Sequence, residues 1–533
     1  MKNYIPSALT LAVGLVLAQA ANAQIQGPST GSTPYFTPTR GDVVTHSIFT
    51  VDNTGLNADD SIGGYGMSGI PDGLGAYDNG NGTFTVLMNH EIGSTLGAVR
   101  AHGAKGAFIS EWVINKNTFA VSSGADLMTN IYQWNNGTQA VGTAPVLGGL
   151  AFNRLCSADL PVPSAYFNAS TGLGTTERIF MTGEESGSNG WAMGVVATGA
   201  NKGSGYVLGK FNLTTNGSGL TAVGGWENVV ANPFAQDKTV VIANNDGGSG
   251  IMSNSVSLYV GTKTNSGTEV DKAGLTNGTI KFVNVAGNVA EITNTTSRTT
   301  GITSGTSFTL SGTASTTFSR PEDVAWNPAN PSQAYFVTTD RLDQVSDGVG
   351  TQIGSTRLWR LNFSDITNPE NGGTIDLLID GRVVDGKKVN MFDNLTVSPD
   401  GMVFLQEDVG GAAHNGKIFM YNPGTDTVTS IAMHDEARFG NVGISATAPY
   451  NNDEEGSGII DITYLMAGSP LNTGNAGERW LLSSDQAHYT SGITTAQVEG
   501  GQLIAIHIVP EPSAALSLIG GASMLLGLRR RRA

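Results

Sequence analysis

One cysteine, Cys156, stands in 533 residues, so no disulfide can form within the chain. Charge is sparse at 14% of residues, and basic charge sparser: Lys+Arg 28 against Asp+Glu 44, a formal net charge of -16. That balance argues against nucleic acid or an anionic membrane surface as a partner. Zinc-type spacings are missing, with no CxxC and no HExxH, and His90 and His102 are not at ligand spacing. No phosphate-binding glycine loop occurs either. Convincing helical periodicity is scarce throughout.

Glycine is abundant, at 72 residues, and short β-rich runs such as "GTFTVLMNHE", "ERIFMTGEE", "TRLWRLNF" and "RWLLSSD" alternate with Gly/Asn/Asp/Pro turns. In "NLTVSPDGMVFLQED", Ser398-Pro399-Asp400-Gly401 is a turn between two strands. Hairpin follows hairpin without an obvious linker. The pattern predicts an all-β body, a β-propeller of radially repeated antiparallel sheets, with a pair of β-sandwiches as the alternative. The Thr/Ser-rich stretch 293–319 is expected to be an elongated hairpin or a rim loop.

The ends read as sorting segments. Residues 1–23 combine Lys2, an apolar run from Ala8 to Ala18 and an Ala21-Asn22-Ala23 cleavage site, as in a secretory signal. Residues 509–533 combine Pro510-Glu511-Pro512, an apolar stretch from Ser513 to Leu528 and Arg529 to Arg532. That order resembles the PEP-CTERM sorting signal, which implies secretion machinery and an exosortase-type processing enzyme as partners. The expected location is the periplasm, outer envelope or exterior, with a transient or retained C-terminal membrane segment. In such a compartment a lone thiol is either buried and inert or protected as a metal thiolate.

Acids gather where strands end or begin: Asn89-His90-Glu91, Glu184-Glu185, Glu407-Asp408, Arg320-Pro321-Glu322-Asp323, Asp393-Asn394 and Asp453-Glu454-Glu455. At one pole of a propeller such residues converge, and adjacent carboxylates repel unless a cation lies between them. A hard ion such as Ca2+, taking six to eight oxygens, meets that need. Asp72 and Asp246 are weaker members of the set, and Asn89, Asn244 and Asn394 could add oxygens.

Six stretches, in order, carry a further resemblance: "IPDGLGAYDNGNGTFTVLMNHE", "NRLCSADLP…RIFMTGEES", "SRPEDVAWNP", "FDNLTVSPDGMVFLQED", "EEGSGIIDIT" and "SSDQAHY". Together, across roughly Thr37 to Ile508, they resemble the PhoX-type alkaline phosphatases (the DUF839 group). The resemblance implies a body over residues 24–508 folded as a propeller, six blades favoured, whose central pole holds iron (Fe3+) and calcium (Ca2+). It places an iron-binding thiolate on Cys156 and a phosphate-holding guanidinium on Arg320. It makes Glu91, Glu184, Glu185, Glu322, Asp393, Glu407 and Asp408 candidate metal ligands. The implied activity is metal-assisted hydrolysis of small phosphate monoesters. Two places depart from the family's pattern: no tryptophan follows Cys156 before the paired glutamates, and 226–261 lacks the acidic stretch expected to supply another ligand. A non-catalytic, calcium-stabilised propeller of the extracellular matrix and a calcium-dependent lactonase-type hydrolase are the competing functions. Neither needs Cys156 or Arg320.

Overall fold

The computed structural model describes residues 23–51, 61–186, 190–341, 355–382, 389–412 and 414–510. Most of the expected N-terminal signal, and the apolar C-terminal segment with its arginines, lie outside the described residues. Among those described, no helix is long and apolar enough to cross a membrane.

The body is a β-propeller of six blades. Their innermost strands are Pro71–Asp78, Leu155–Asp159, Trp226–Ala231, Pro321–Trp326, Phe392–Val397 and Glu454–Asp461, and each touches the next around a closed ring. Four blades are separate sheets. The third and fourth are fused into one nine-stranded sheet, because Thr306–Ser311 pairs with the outer strands of both. That strand belongs to the Thr/Ser-rich stretch, whose other part is a small hairpin of Ile292–Asn294 and Thr299–Thr300.

Six apolar clusters fill the six spaces between blades. Between the second and third blades Met181 and Val196 meet Trp226 and Val241; between the sixth and first Trp480 and Leu503 meet Trp112 and Phe84. Trp112, Trp226, Trp359 and Trp480 are fully buried, and each removed to alanine should cost roughly 3–5 kcal/mol.

The ring closes by joining the chain's two ends. Val43–Thr50 runs antiparallel to Gly500–Ile508 in the sixth blade, with Ala23–Gln26 parallel outside it. Turn chemistry sets the register: Gly401, at φ 86°, lets Ser398 to Gly401 reverse the chain so that Val397 faces Val403.

Candidate metal centre

Every blade repeats one local construction. The first residue of its innermost strand pairs with the last residue of its second strand: Pro71 with His90, Leu155 with Glu184, Trp226 with Asn245, Pro321 with Thr338, Phe392 with Glu407 and Glu454 with Ala487. One residue further along each innermost strand come Asp72, Cys156, Glu227, Glu322, Asp393 and Glu455. One residue beyond each second strand come Glu91, Glu185, Asp246, Thr339, Asp408 and His488. In five blades the innermost strand then bulges at the ring residue, so the regular ladder resumes only past it; in the sixth Glu455 pairs with Gln486 and the shift falls between Gly456 and Gly458. Six-fold repetition thereby delivers an inner ring of five carboxyls and one thiol, surrounded by an outer ring of four carboxyls, Thr339 and His488.

These rings interlock. The ligand atoms of Asp72, Glu91 and Cys156 lie within 4.8 Å of one another, as do those of Cys156, Glu185 and Glu227. The same holds for Glu227, Glu322 and Asp393, and for Asp393, Asp408 and Glu455. Shared members make the four groups one continuous cluster. Cys156 Sγ is 3.5 Å from Glu185 Oε2.

Burial and mutual repulsion push several of these groups toward their neutral forms, whereas Glu455, despite its burial, is held below its ordinary range by His488 and Ser457. Asp72, Glu227, Glu322 and Asp393 lie well above the carboxylate range, burial being the main cause and neighbouring carboxylates adding to it. Glu185 and Asp408 are raised to about 7, again first by burial. The Cys156 thiol is pushed far up by burial and by Glu227, Glu91, Glu185 and Asp72. Burial also disfavours the imidazolium of His488, but Glu455 and Glu499 outweigh it and carry His488 up to about 11.

Two guanidiniums supply positive charge. Arg154 reaches Glu91 at 3.6 Å and Glu185 at 2.5 Å; Arg320 reaches Asp246 at 2.9 Å and Glu322 at 2.8 Å. They do not balance nine carboxyls. Asp72 Oδ1, in a residue only 2% exposed, has no hydrogen-bond partner among the described residues. An oxygen-rich donor set with one sulfur, short of positive charge and with a bare buried oxygen, fits divalent or trivalent cations.

Of the sequence-predicted residues, Cys156, Glu91, Glu185, Glu322, Asp393 and Asp408 meet in this cluster, with Arg320 on its rim. Glu184 and Glu407 do not join it. Each is the last residue of a second strand, and strand alternation turns it to the opposite side from its neighbour. There Glu184 accepts the Asn153 N–H at 2.7 Å and Glu407 the Asn390 N–H at 2.7 Å, securing the backbone three residues before Cys156 and Asp393. The stretch 226–261, read as short of a ligand, supplies Glu227 to the inner ring. Asp72 and Asp246 take full ring positions. Glu455, His488 and Arg154 complete the constellation. Asn89 and Asn244 instead brace the ring: their Nδ2 groups donate to the carbonyls of Cys156 at 2.5 Å and Glu322 at 2.7 Å in the next blade.

Below the rings the channel is lined by hydrogen-bonded pairs, Ser157 with Asn394 and Asn228 with Asp323. Its opposite mouth is a cavity of about 630 Å³ with mainly apolar walls, including Leu74, Val230, Trp326 and Ile460, and none of the ring residues.

No known family's sequence profile matches the chain, and no curated protein matches it. Among solved structures it is similar to a GH43_1 enzyme from Xanthomonas citri, at 10% identity and TM-score 0.27, over 66% of this chain and 86% of that one. It is also similar to an auxiliary nutrient binding protein from Bacteroides ovatus, at 9% identity and TM-score 0.29, over 80% of this chain and 94% of that one. Likenesses of this degree carry no argument about activity.

Proposed function

We propose that this chain is an exported, metal-dependent phosphomonoesterase of the PhoX type, acting at the acidic pole. One observation carries this: of six equivalent inner positions, five hold carboxyls and one a thiol, with the half-exposed Arg320 guanidinium beside them. Carboxylates alone suit calcium, whereas a thiolate among them suits a transition metal such as ferric iron. The inner ring, with Glu91, Glu185, Asp246 and Asp408, would hold both. Bound there, the ions supply the charge that lets these groups ionise and that stabilises the phosphoryl group during its transfer.

The chain's own residues have distinct tasks. Arg320 offers a planar fork to two phosphate oxygens. Asp246 and Glu322 aim that fork, and the Thr339 N–H fixes the Arg320 carbonyl at 2.9 Å. His488 Nδ1 lies 2.7 Å from Glu499, so that pair holds a proton at the rim of the sixth blade. Ala23 and Pro510 both lie at the opposite end of the sixth blade, so terminal sorting segments would leave the acidic pole open to substrate.

The test is hydrolysis of p-nitrophenyl phosphate by the purified chain supplied with calcium and anaerobic ferrous iron, then air. Turnover is expected, with kcat/KM falling on the order of 10²-fold in Arg320→Ala. Absence of turnover after loading with both metals would overturn the proposal and favour the calcium-stabilised structural propeller.

A further inference from the structure

We propose that Arg154 is the second arm of an anion clamp, paired with Arg320, that grips the dianionic phosphate of a monoester. This deepens, and rests on, the phosphomonoesterase proposal above.

Arg154 and Arg320 are the same residue of two different blades. Each stands two positions before an inner-ring residue, Cys156 or Glu322. Each has left-handed backbone, φ 56° and φ 55°. Each carbonyl accepts, at 2.9 Å, the N–H of its own blade's outer-ring residue: Glu185 N–H for Arg154, Thr339 N–H for Arg320. Their side chains are almost equally exposed, 45% and 44%. Along the outer ring they lie on either side of Glu185 and Asp246, the acids of adjacent blades.

The left-handed conformation favours glycine, and an arginine held in it is strained. Backbone geometry alone does not call for arginine at either place. What arginine adds is a guanidinium at the mouth of the cluster. The carboxylates it touches, Glu91 and Glu185 for Arg154, are also cation ligand candidates. A bound cation takes over their neutralisation and leaves the guanidinium free to face an incoming anion. Two forks at the mouth of one cluster would suit a phosphate with three unesterified oxygens and two charges. A diester, with one charge and two free oxygens, fills them less well.

The experiment uses the full mature chain loaded with calcium and iron, with Arg154→Gly and Arg154→Lys beside it. Four quantities are measured: thermal midpoint, metal content, binding of inorganic phosphate by calorimetry, and hydrolysis of p-nitrophenyl phosphate against bis(p-nitrophenyl) phosphate. In Arg154→Gly the midpoint should hold or rise, since strain is relieved, and metal content should stay unchanged. Phosphate affinity should fall about ten-fold or more, as expected for lost hydrogen bonds to a charged group. KM for the monoester should rise, and its preference over the diester should shrink. Arg154→Lys should fall between, because a point charge cannot fork.

Phosphate affinity within two-fold of the parent in the glycine variant would overturn the clamp. So would a lowered midpoint with loss of metal, which would make Arg154 a structural ion pair. If the parent binds phosphate through Arg154 yet hydrolyses neither ester, the clamp stands and the proposed catalysis falls.

Discussion

Glu184 and Glu185 are adjacent in sequence but face opposite sides of one strand end, and their substitution should have unlike effects. Glu185 is a member of the cation cluster; Glu184 is buried and secures the N–H of Asn153. Glu185→Gln should lower the metal content of the purified protein while leaving the metal-free fold little changed. Glu184→Ala should leave the partly buried Asn153 N–H unpaired and cost about 1 kcal/mol in urea unfolding. Equal metal loss in both would contradict the assignment. The Glu407-Asp408 doublet repeats this division of labour. Acidic doublets were plain in the sequence, but which member serves the pole depends on strand parity relative to the pairing of the first and last residues. That parity is fixed only once the blade is formed. Glu227 escaped notice for a related reason: it follows Trp226, at the start of a strand whose other residues are apolar or amide-bearing, and so reads as an isolated acid.

At the scale of elements, the fourth blade solves a local problem with an insertion. In the second and fifth blades the last residue of the second strand is a glutamate that holds the backbone three residues before the ring. The fourth blade has Thr338 there. Glu291, just before the Thr/Ser-rich stretch, takes over: it accepts the Ser319 N–H at 2.8 Å, the Thr338 hydroxyl at 3.1 Å and Arg357 Nη1 at 2.9 Å. Both Glu291 and Arg357 are fully buried. Removing one charge and leaving the other should therefore be severe. Arg357→Met is expected to cost about 3–5 kcal/mol in chemical unfolding and to weaken phosphate binding, because Ser319 precedes Arg320. Unchanged stability would show that the insertion does not brace this turn. The stretch 293–319 read as a hairpin or rim loop, and part of it is one. Its role in joining two blades was not legible, because the pairing partners of Thr306–Ser311 lie in separate blades.

Across the whole molecule, strand runs and turn residues made the propeller legible, whereas the blade count was not, since the six blades share geometry more than sequence. The ring positions hold Asp, Cys, Glu, Glu, Asp and Glu in turn, and the spacing between blades varies with each insertion. Closure by the two ends has its own consequence: a chain lacking 23–50 loses the two outer strands of the sixth blade and should unfold at markedly lower temperature than the parent, as read by calorimetry. Convergence of so many carboxyls also sets the pH response. Glu185 and Asp408, raised to about 7, are protonated in the folded, metal-free protein where the unfolded chain has already ionised. Their contribution to stability is fully present below pH ~4 and is lost as pH rises through about 7. Metal-free protein should therefore melt at lower temperature at pH 8 than at pH 5.5, other groups being equal. Calcium should raise the midpoint most at pH 8, where its ligands release their protons most readily.

The measurement that bears most directly on the central claim is the metal content per chain of the purified protein and of Cys156→Ala, determined by elemental analysis after exchange into metal-free buffer. The account predicts calcium and iron in the parent, and calcium with little or no iron in the variant. Equal iron in both, or none in a parent loaded with both metals, would contradict it.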